Sequence, residues 1–195
     1  MMKSIKFPIL FLAVLLSGFY SLQVTSQSFI LNKSNSTLEV HGTSSLHDWH
    51  LETEKQSGEI VITNSDDLAI STLNFSVETE SLKSGKSSMD KNTYKALKTD
   101  DYKTIDFKFK SIKQVNKLEN NSFKATIIGD LTISGVTKSI SLDITLNLNG
   151  TKVLLEGEKS LKMTDYGIDP PKALLGTIKT GDAIKIIFKS EFESK

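Results

Sequence analysis

The chain has 195 residues with 24 basic and 23 acidic side chains, a formal charge of +1 and no cysteine. Every basic residue is a lysine, so the chain lacks both a net field and the guanidinium forks that favour nucleic-acid recognition, and nucleic acid is excluded as a partner. Absence of cysteine rules out disulfides and a lipoprotein anchor, so the core alone must hold the fold.

The N-terminus carries Lys3 and Lys6, an apolar run from Phe7 to Leu16, Ser17-Gly18 and a polar descent through Gln23, Thr25, Ser26 and Gln27. This is the layout of a secretory signal peptide, and its apolar core is too short to favour a permanent membrane span. Cleavage is expected near Ser26, with Val24 and Ser26 as the small residues the peptidase needs. That assigns 1–26 to the signal peptide and 27–195 to a single periplasmic or secreted domain close to the envelope.

Leu38 and Val40 within Ser36 to Thr43 mark a first strand, with Ile30 leading into it. In the next, His47, Trp49 and Leu51 share one face and Asp48, His50 and Glu52 the other. Ser57-Gly58 leads into Glu59 to Thr63 with Ile60 and Ile62 inward, and Asn64-Ser65-Asp66-Asp67 is a loop by composition. Leu73, Phe75 and Val77 mark a further strand. Then Met89, Thr93, Ala96 and Leu97 recur at spacings of three and four, which predicts the one main helix over Ser88 to Lys98, with Ser87 or Ser88 as N-cap and Asp90 in the first turn.

Strand periodicity returns at Ile105, Phe107 and Phe109. The longest alternation follows: Phe123, Ala125, Ile127, Leu131 and Ile133 hold one parity, and after Ser134-Gly135 the parity resets to Val136, Ile140, Leu142, Ile144, Leu146 and Leu148. Asn149-Gly150 signals a tight hairpin into a strand with Val153, Leu155, Leu161 and Met163 as its apolar positions. Pro170-Pro171 suits the start of a short second helix around Lys172 to Leu175. Ile184, Ile186, Phe188 and Phe192 close the chain. The total is an all-β, antiparallel chain of eight to nine strands, which must bury its edges in a sandwich or close into a barrel.

Several stretches together resemble the YceI-like family. Ser36-Thr37-Leu38 through Gly42-Thr43-Ser44 and His47-Asp48-Trp49 is similar to an opening strand pair of that family. Leu82-Lys83-Ser84-Gly85 through Met89-Asp90 and Tyr94-Lys95-Ala96-Leu97 is similar to its helix segment, and Tyr102 with Ile105-Asp106-Phe107 to a strand entry. Gly129-Asp130-Leu131-Thr132-Ile133-Ser134-Gly135-Val136-Thr137-Lys138 resembles a family hairpin, and Asp165-Tyr166-Gly167-Ile168 a late loop. Lys103-Thr104 stands where the family usually has proline, which is expected to loosen the strand entry. Met89 replaces an arginine before Asp90, and Asp48-Trp49-His50 replaces a Gly-x-Phe pattern. The resemblance spans Phe29 to Phe192 and implies an exported bacterial protein with a lipocalin-like barrel that binds polyisoprenoid and similar amphiphilic lipids.

The expected function is therefore to hold an amphiphile with a long apolar tail, polyisoprenoid or quinone-like, inside the barrel. Trp49, Phe75, Phe107, Phe109, Leu131, Leu142, Ile144, Leu155, Ile186 and Phe188 are the cavity candidates. His47, Lys83, Lys86, Tyr94 and Tyr166 are the head-group candidates. Small inward residues at Ala125, Gly129 and Gly157 are read as leaving room or permitting strand bending, which leans toward a cavity. No catalytic residue, metal or cofactor is assigned, since no nucleophile elbow, phosphate loop or His-Glu-x-x-His is present. Two alternatives stand beside this reading: a filled barrel acting as an envelope or surface interaction module, and a metal-dependent enzyme built on His41, His47 and His50, for which His41 and His47 would meet at one barrel end.

Overall fold

The computed structural model describes residues 26–53 and 55–195; the predicted signal peptide and its cleavage region therefore fall outside the described residues but for Ser26. The strands are β1 (Gln27–Leu31), β2 (Thr37–Ser44), β3 (Trp49–Glu52), β4 (Gln56–Asn64), β5 (Ala69–Glu78), β6 (Thr104–Lys117), β7 (Ser122–Ile133), β8 (Val136–Asn149), β9 (Lys152–Lys162), β10 (Lys172–Ala173) and β11 (Ile178–Ser194), with one α-helix, α1 (Ser87–Leu97). All pairings are antiparallel. The order β1-β4-β5-β6-β7-β8-β9-β11 closes on itself through Phe29↔Ser194, Ile30↔Glu193 and Leu31↔Phe192, an eight-stranded barrel.

The expected barrel and main helix are present, with four local differences. Ile30 belongs to a strand of its own, because Asn32 breaks it from β2: its Oδ1 accepts from Ser34 N and the chain turns through Lys33–Asn35. The helix starts one residue early, on Lys86 as N-cap with no side-chain cap bond. Its first turn is instead tied by Asp90, which accepts from Ser84 N at 2.8 Å and Ser84 Oγ at 2.7 Å. The short second helix is replaced by β10 and the 3-10 turn Leu174–Gly176. Pairing of Lys172↔Lys179 and Ala173↔Ile178 uses the backbone that a helix would need, and Leu175 at φ 55 is incompatible with one. Finally, the entry to β6 is held firmly, since Thr79 donates from N to Lys103 O at 2.9 Å and from Oγ1 to Lys103 O at 3.0 Å.

The β7–β8 hairpin turns on Ser134 and Gly135, both at positive φ, as a two-residue turn that follows the strand twist requires. From it the register runs unbroken from Ile133↔Val136 to Ser122↔Asn147, which is why the parity read from the sequence survives intact. Inward residues at the β1 end are packed solid: Phe29, Ile60, Ile62, Phe123, Ile127, Leu146 and Val153 are all at most 1% exposed.

At the other end β11 exchanges partners. Its C-terminal residues pair with β1, whereas Thr180 to Lys189 pair with β2, which in turn pairs with β3. The two extra strands and α1 thus flank that end without filling it. Met89, Thr93, Ala96 and Leu97, the helix stripe predicted from spacing, face the space so formed.

Candidate functional site

A cavity of about 400 Å³ occupies this half of the barrel, between α1, β2, β3 and the inner faces of β5 to β9 and β11. It lies within the range of small-molecule sites. The protein is therefore neither wholly filled nor wholly hollow. Its β1 end is core, and its other end is a pocket.

Trp49, Phe75, Phe107, Leu131, Leu142, Leu155, Ile186 and Phe188 line this cavity. Phe109 and Ile144 do not. Phe109 packs half-buried against the core, and Ile144, 3% exposed, sits in the filled end where Ala125 is its cross-strand neighbour. Parity puts both on the inner face, but Ile144 stands one step beyond Leu142, the last residue of β8 to line the cavity.

The glycines expected to leave room do not do so. A Cβ at Gly129 would lie 2.3 Å from Phe107 Cζ, and one at Gly157 would lie 2.6 Å from Phe188 Cζ. Gly42 under Trp49 and Gly58 under Phe75 repeat the device, with Cβ distances of 2.1 Å to Trp49 Cζ2 and 3.3 Å to Phe75 Cδ2. Each bare backbone seats an aromatic ring from the neighbouring strand, so the glycines position the rings of the wall while the open volume lies beyond them.

The head-group candidates divide. Lys86, His47 and Tyr166 line the cavity. His47 lies exposed at its rim, with Nδ1 2.7 Å from Asp48 O. Tyr166, in the 3-10 turn Met163–Tyr166, is 2% exposed and its hydroxyl has no partner among the described residues. Burial, with the Asp165 charge beside it, pushes the phenol above its ordinary pKa. Lys83 and Tyr94 lie elsewhere. Lys83 is tied to the β3 edge through Glu52, its Nζ contacts Tyr94 Oη, and Tyr94 donates to Glu80 O at 2.8 Å. Lys83 lines a separate polar cleft with Lys55, Glu78 and Lys103. Tyr94 follows Thr93 by one helical step, so it turns away from the stripe that faces the pocket.

The histidines do not gather as the metal-dependent alternative would require. Register pairs His41 with His50, not with His47, and their rings stack at 5.8 Å. Glu39 holds His41 Nε2 at 2.7 Å and Glu52 holds His50 Nε2 at 3.3 Å, while His47 faces the cavity side. Among the described residues no three His, Cys, Asp or Glu side chains form a set able to hold a metal ion.

Sequence reasoning missed Lys159. It is half-buried, lines the cavity and donates from Nζ to Ser141 O at 2.6 Å. The signal was present: Val153, Leu155, Gly157, Lys159 and Leu161 share one parity, so a lysine stands in an otherwise inward-facing row. Ser190, 1% exposed with an unpartnered Oγ, also lines the pocket, opposite Leu155.

Among the described residues no helix is long and apolar enough to cross a membrane. No curated protein matches the chain. Among solved structures, a polyisoprenoid binding domain from Saccharophagus degradans superposes with a TM-score of 0.70 at 13% identity, covering 87% of this chain and 99% of its own. BcnA of Burkholderia cenocepacia gives 0.68 at 15% identity, over 83% and 98% of the two chains. The YCEI protein of Campylobacter jejuni gives 0.58 at 18% identity, over 73% and 82%. At these identities the likeness establishes the shared fold. The model of the YceI-like domain matches residues 29–192, nearly the whole barrel, and the chain belongs to the YceI-like domain family.

Proposed function

We propose that the protein is an exported carrier that holds the apolar tail of an amphiphile, of the polyisoprenoid or quinone class, in the open half of its barrel. The observation that carries this reading is the apolar cavity of about 400 Å³ above a solid core. Removing one five-carbon isoprene unit from water contributes about 3–4 kcal/mol gross, at about 0.8 per methylene-sized group, and ordering the tail offsets much of it. Tail length and fit then govern affinity more than polar contacts do.

Two further lines support the reading. The Saccharophagus degradans domain with the same fold is described as polyisoprenoid binding. The N-terminal pattern of Lys3, Lys6 and the run from Phe7 to Leu16 supports export to the periplasm or beyond. A module with a wholly filled barrel is disfavoured by the open half, and a metal-dependent enzyme by the separation of His47 from His41 and His50.

The test is native mass spectrometry of the protein purified from its natural source, followed by organic extraction of whatever it releases. A prenyl lipid or quinone in the extract is the expected result. Leu131→Glu, which places a charge in the cavity lining, should fold and lose the lipid. An apo mass that persists after incubation with added isoprenoids would overturn the carrier reading.

A further inference from the structure

The charge lining the cavity has one sign. Lys86, Lys159, Lys162 and Lys172 contribute to it, and no aspartate or glutamate does. Composition does not explain this, since acids and bases are nearly equal in number. Among the described residues none of these four lysines takes part in an ion pair, whereas Lys55, Lys110, Lys138, Lys152, Lys185, Lys189 and Lys195 all do.

The strand ladder beside Lys159 is also interrupted. The register between β8 and β9 runs from Asn149↔Lys152 to Ile144↔Gly157 and stops there. Beyond that point, among the described residues, β8 continues only against β7, and β9 only against β11. The edges so exposed carry backbone groups that need partners, and the Lys159 ammonium meets one of them, Ser141 O. The 3-10 turn Met163–Tyr166 packs against both strands. It brings the buried, unpartnered Tyr166 hydroxyl into the same cavity.

Building on the carrier reading, we propose that the split between β8 and β9 is the head-group site, and that the head group is anionic, a phosphate or a carboxylate, met by the Lys159 ammonium and the Tyr166 hydroxyl. Lys159 exchanges a neutral carbonyl for an anion, which converts an ordinary hydrogen bond into a charge-assisted one. Tyr166 keeps its proton and donates it, satisfying a group that is otherwise buried without a partner. The tail lies along the apolar lining, and the head group leaves the barrel sideways through the wall.

Isothermal titration calorimetry of the purified chain with dodecyl phosphate, dodecanoate and dodecanol tests this, because the three share a tail. The wild type is expected to bind at least one of the anions about tenfold more tightly than the alcohol, and the preferred anion identifies the head group as phosphate or carboxylate. Lys159→Met should remove most of that advantage, with dodecanol affinity held within about twofold. Tyr166→Phe should remove a smaller part. Lys185→Met, at an ion pair with Glu158, should change neither. A wild type that prefers neither anion overturns the proposal without any variant, and so does a Lys159→Met protein that loses dodecanol and anion alike. In both cases dodecanol binding by the wild type leaves the carrier reading standing, whereas failure of all three probes to bind the wild type removes both.

Discussion

Gly129→Ala tests whether the wall rings are seated on bare backbone. The added Cβ would lie 2.3 Å from Phe107 Cζ, 2.6 Å from Phe107 Cε2 and 2.7 Å from Lys108 O. The ring can tilt toward the cavity, but the carbonyl belongs to the β6–β7 ladder, where Lys108 faces Asp130 and Phe109 faces Gly129. Overpacking costs about 1–3 kcal/mol, and a clash with backbone belongs at the upper end. The restricted unfolded chain of alanine returns about 0.4–1 kcal/mol. The net loss is about 2 kcal/mol, which for a domain of this size lowers Tm by about 4–8 °C in calorimetry. Gly181→Ala is the comparator: its close neighbour is Thr43 Oγ1 at 2.5 Å, a rotatable side chain, with the next atom at 3.6 Å. It should shift Tm far less. Adding Phe107→Leu to Gly129→Ala should restore part of the loss but not all, because Lys108 O stays in place. A Gly129→Ala protein that melts with the wild type would refute the seating of Phe107 on Gly129.

Tyr166→Phe in the ligand-free protein should leave Tm unchanged or raise it, because the hydroxyl is buried without a partner and its removal relieves a desolvation cost of about 1 kcal/mol or more; a clear fall in Tm would mean that the hydroxyl is bonded. Asp90 sets an acid limit. Burial pushes its carboxyl up, but the bonds from Ser84 Oγ and Ser84 N, helped by the Lys83 charge, outweigh burial and leave it below the usual value. Its contribution is therefore complete above the unfolded-state pKa of about 3.9 and fades as pH falls through the lower folded-state value. Asp90→Asn should be less stable than the wild type at neutral pH in urea unfolding, and the two curves should converge in strong acid; a gap that persists there would contradict the linkage. Trp49 is the sole tryptophan, lines the cavity and donates from Nε1 to Thr43 O at 2.9 Å. Its emission should shift to the blue as a long-chain amphiphile displaces water around the ring, and unchanged emission during binding seen by calorimetry would place the tail elsewhere.

Much of the barrel was legible because its hairpins are long and regular. From Phe123 to Leu148 one parity change at Ser134-Gly135 accounts for both strands, and the observed register keeps each predicted inward residue inward. Parity assigns a face but not a height along the barrel, and that is where the cavity candidates divide. Ile144 and Leu142 are two residues apart on one face, yet Leu142 meets the cavity and Ile144 the core. The glycines misled for a related reason. Gly129 and Gly157 look like missing volume until the register sets Phe107 and Phe188 over them. The histidines depended on register too, since the pairing His41↔His50 cannot be inferred before the length of the β2–β3 turn is known.

The division of the barrel follows from one strand that serves two partners. β11 is seventeen residues long, more than β1 or β2 can cover alone. Where β1 closes the ring, Phe29, Phe123 and Val153 are at most 1% exposed and lie outside the cavity lining. Where β2 takes over, the ring is flanked by the four residues of β3 and by a helix whose own hydrogen bonds are satisfied internally. These elements cover the space without contributing a full strand of side chains to it. The gap between β8 and β9 lies at this same level, past Ile144↔Gly157. Solid packing at one end can therefore support the fold while the other end remains open, so a cavity wall of apolar rings and unpaired lysines does not have to be the source of the protein's stability.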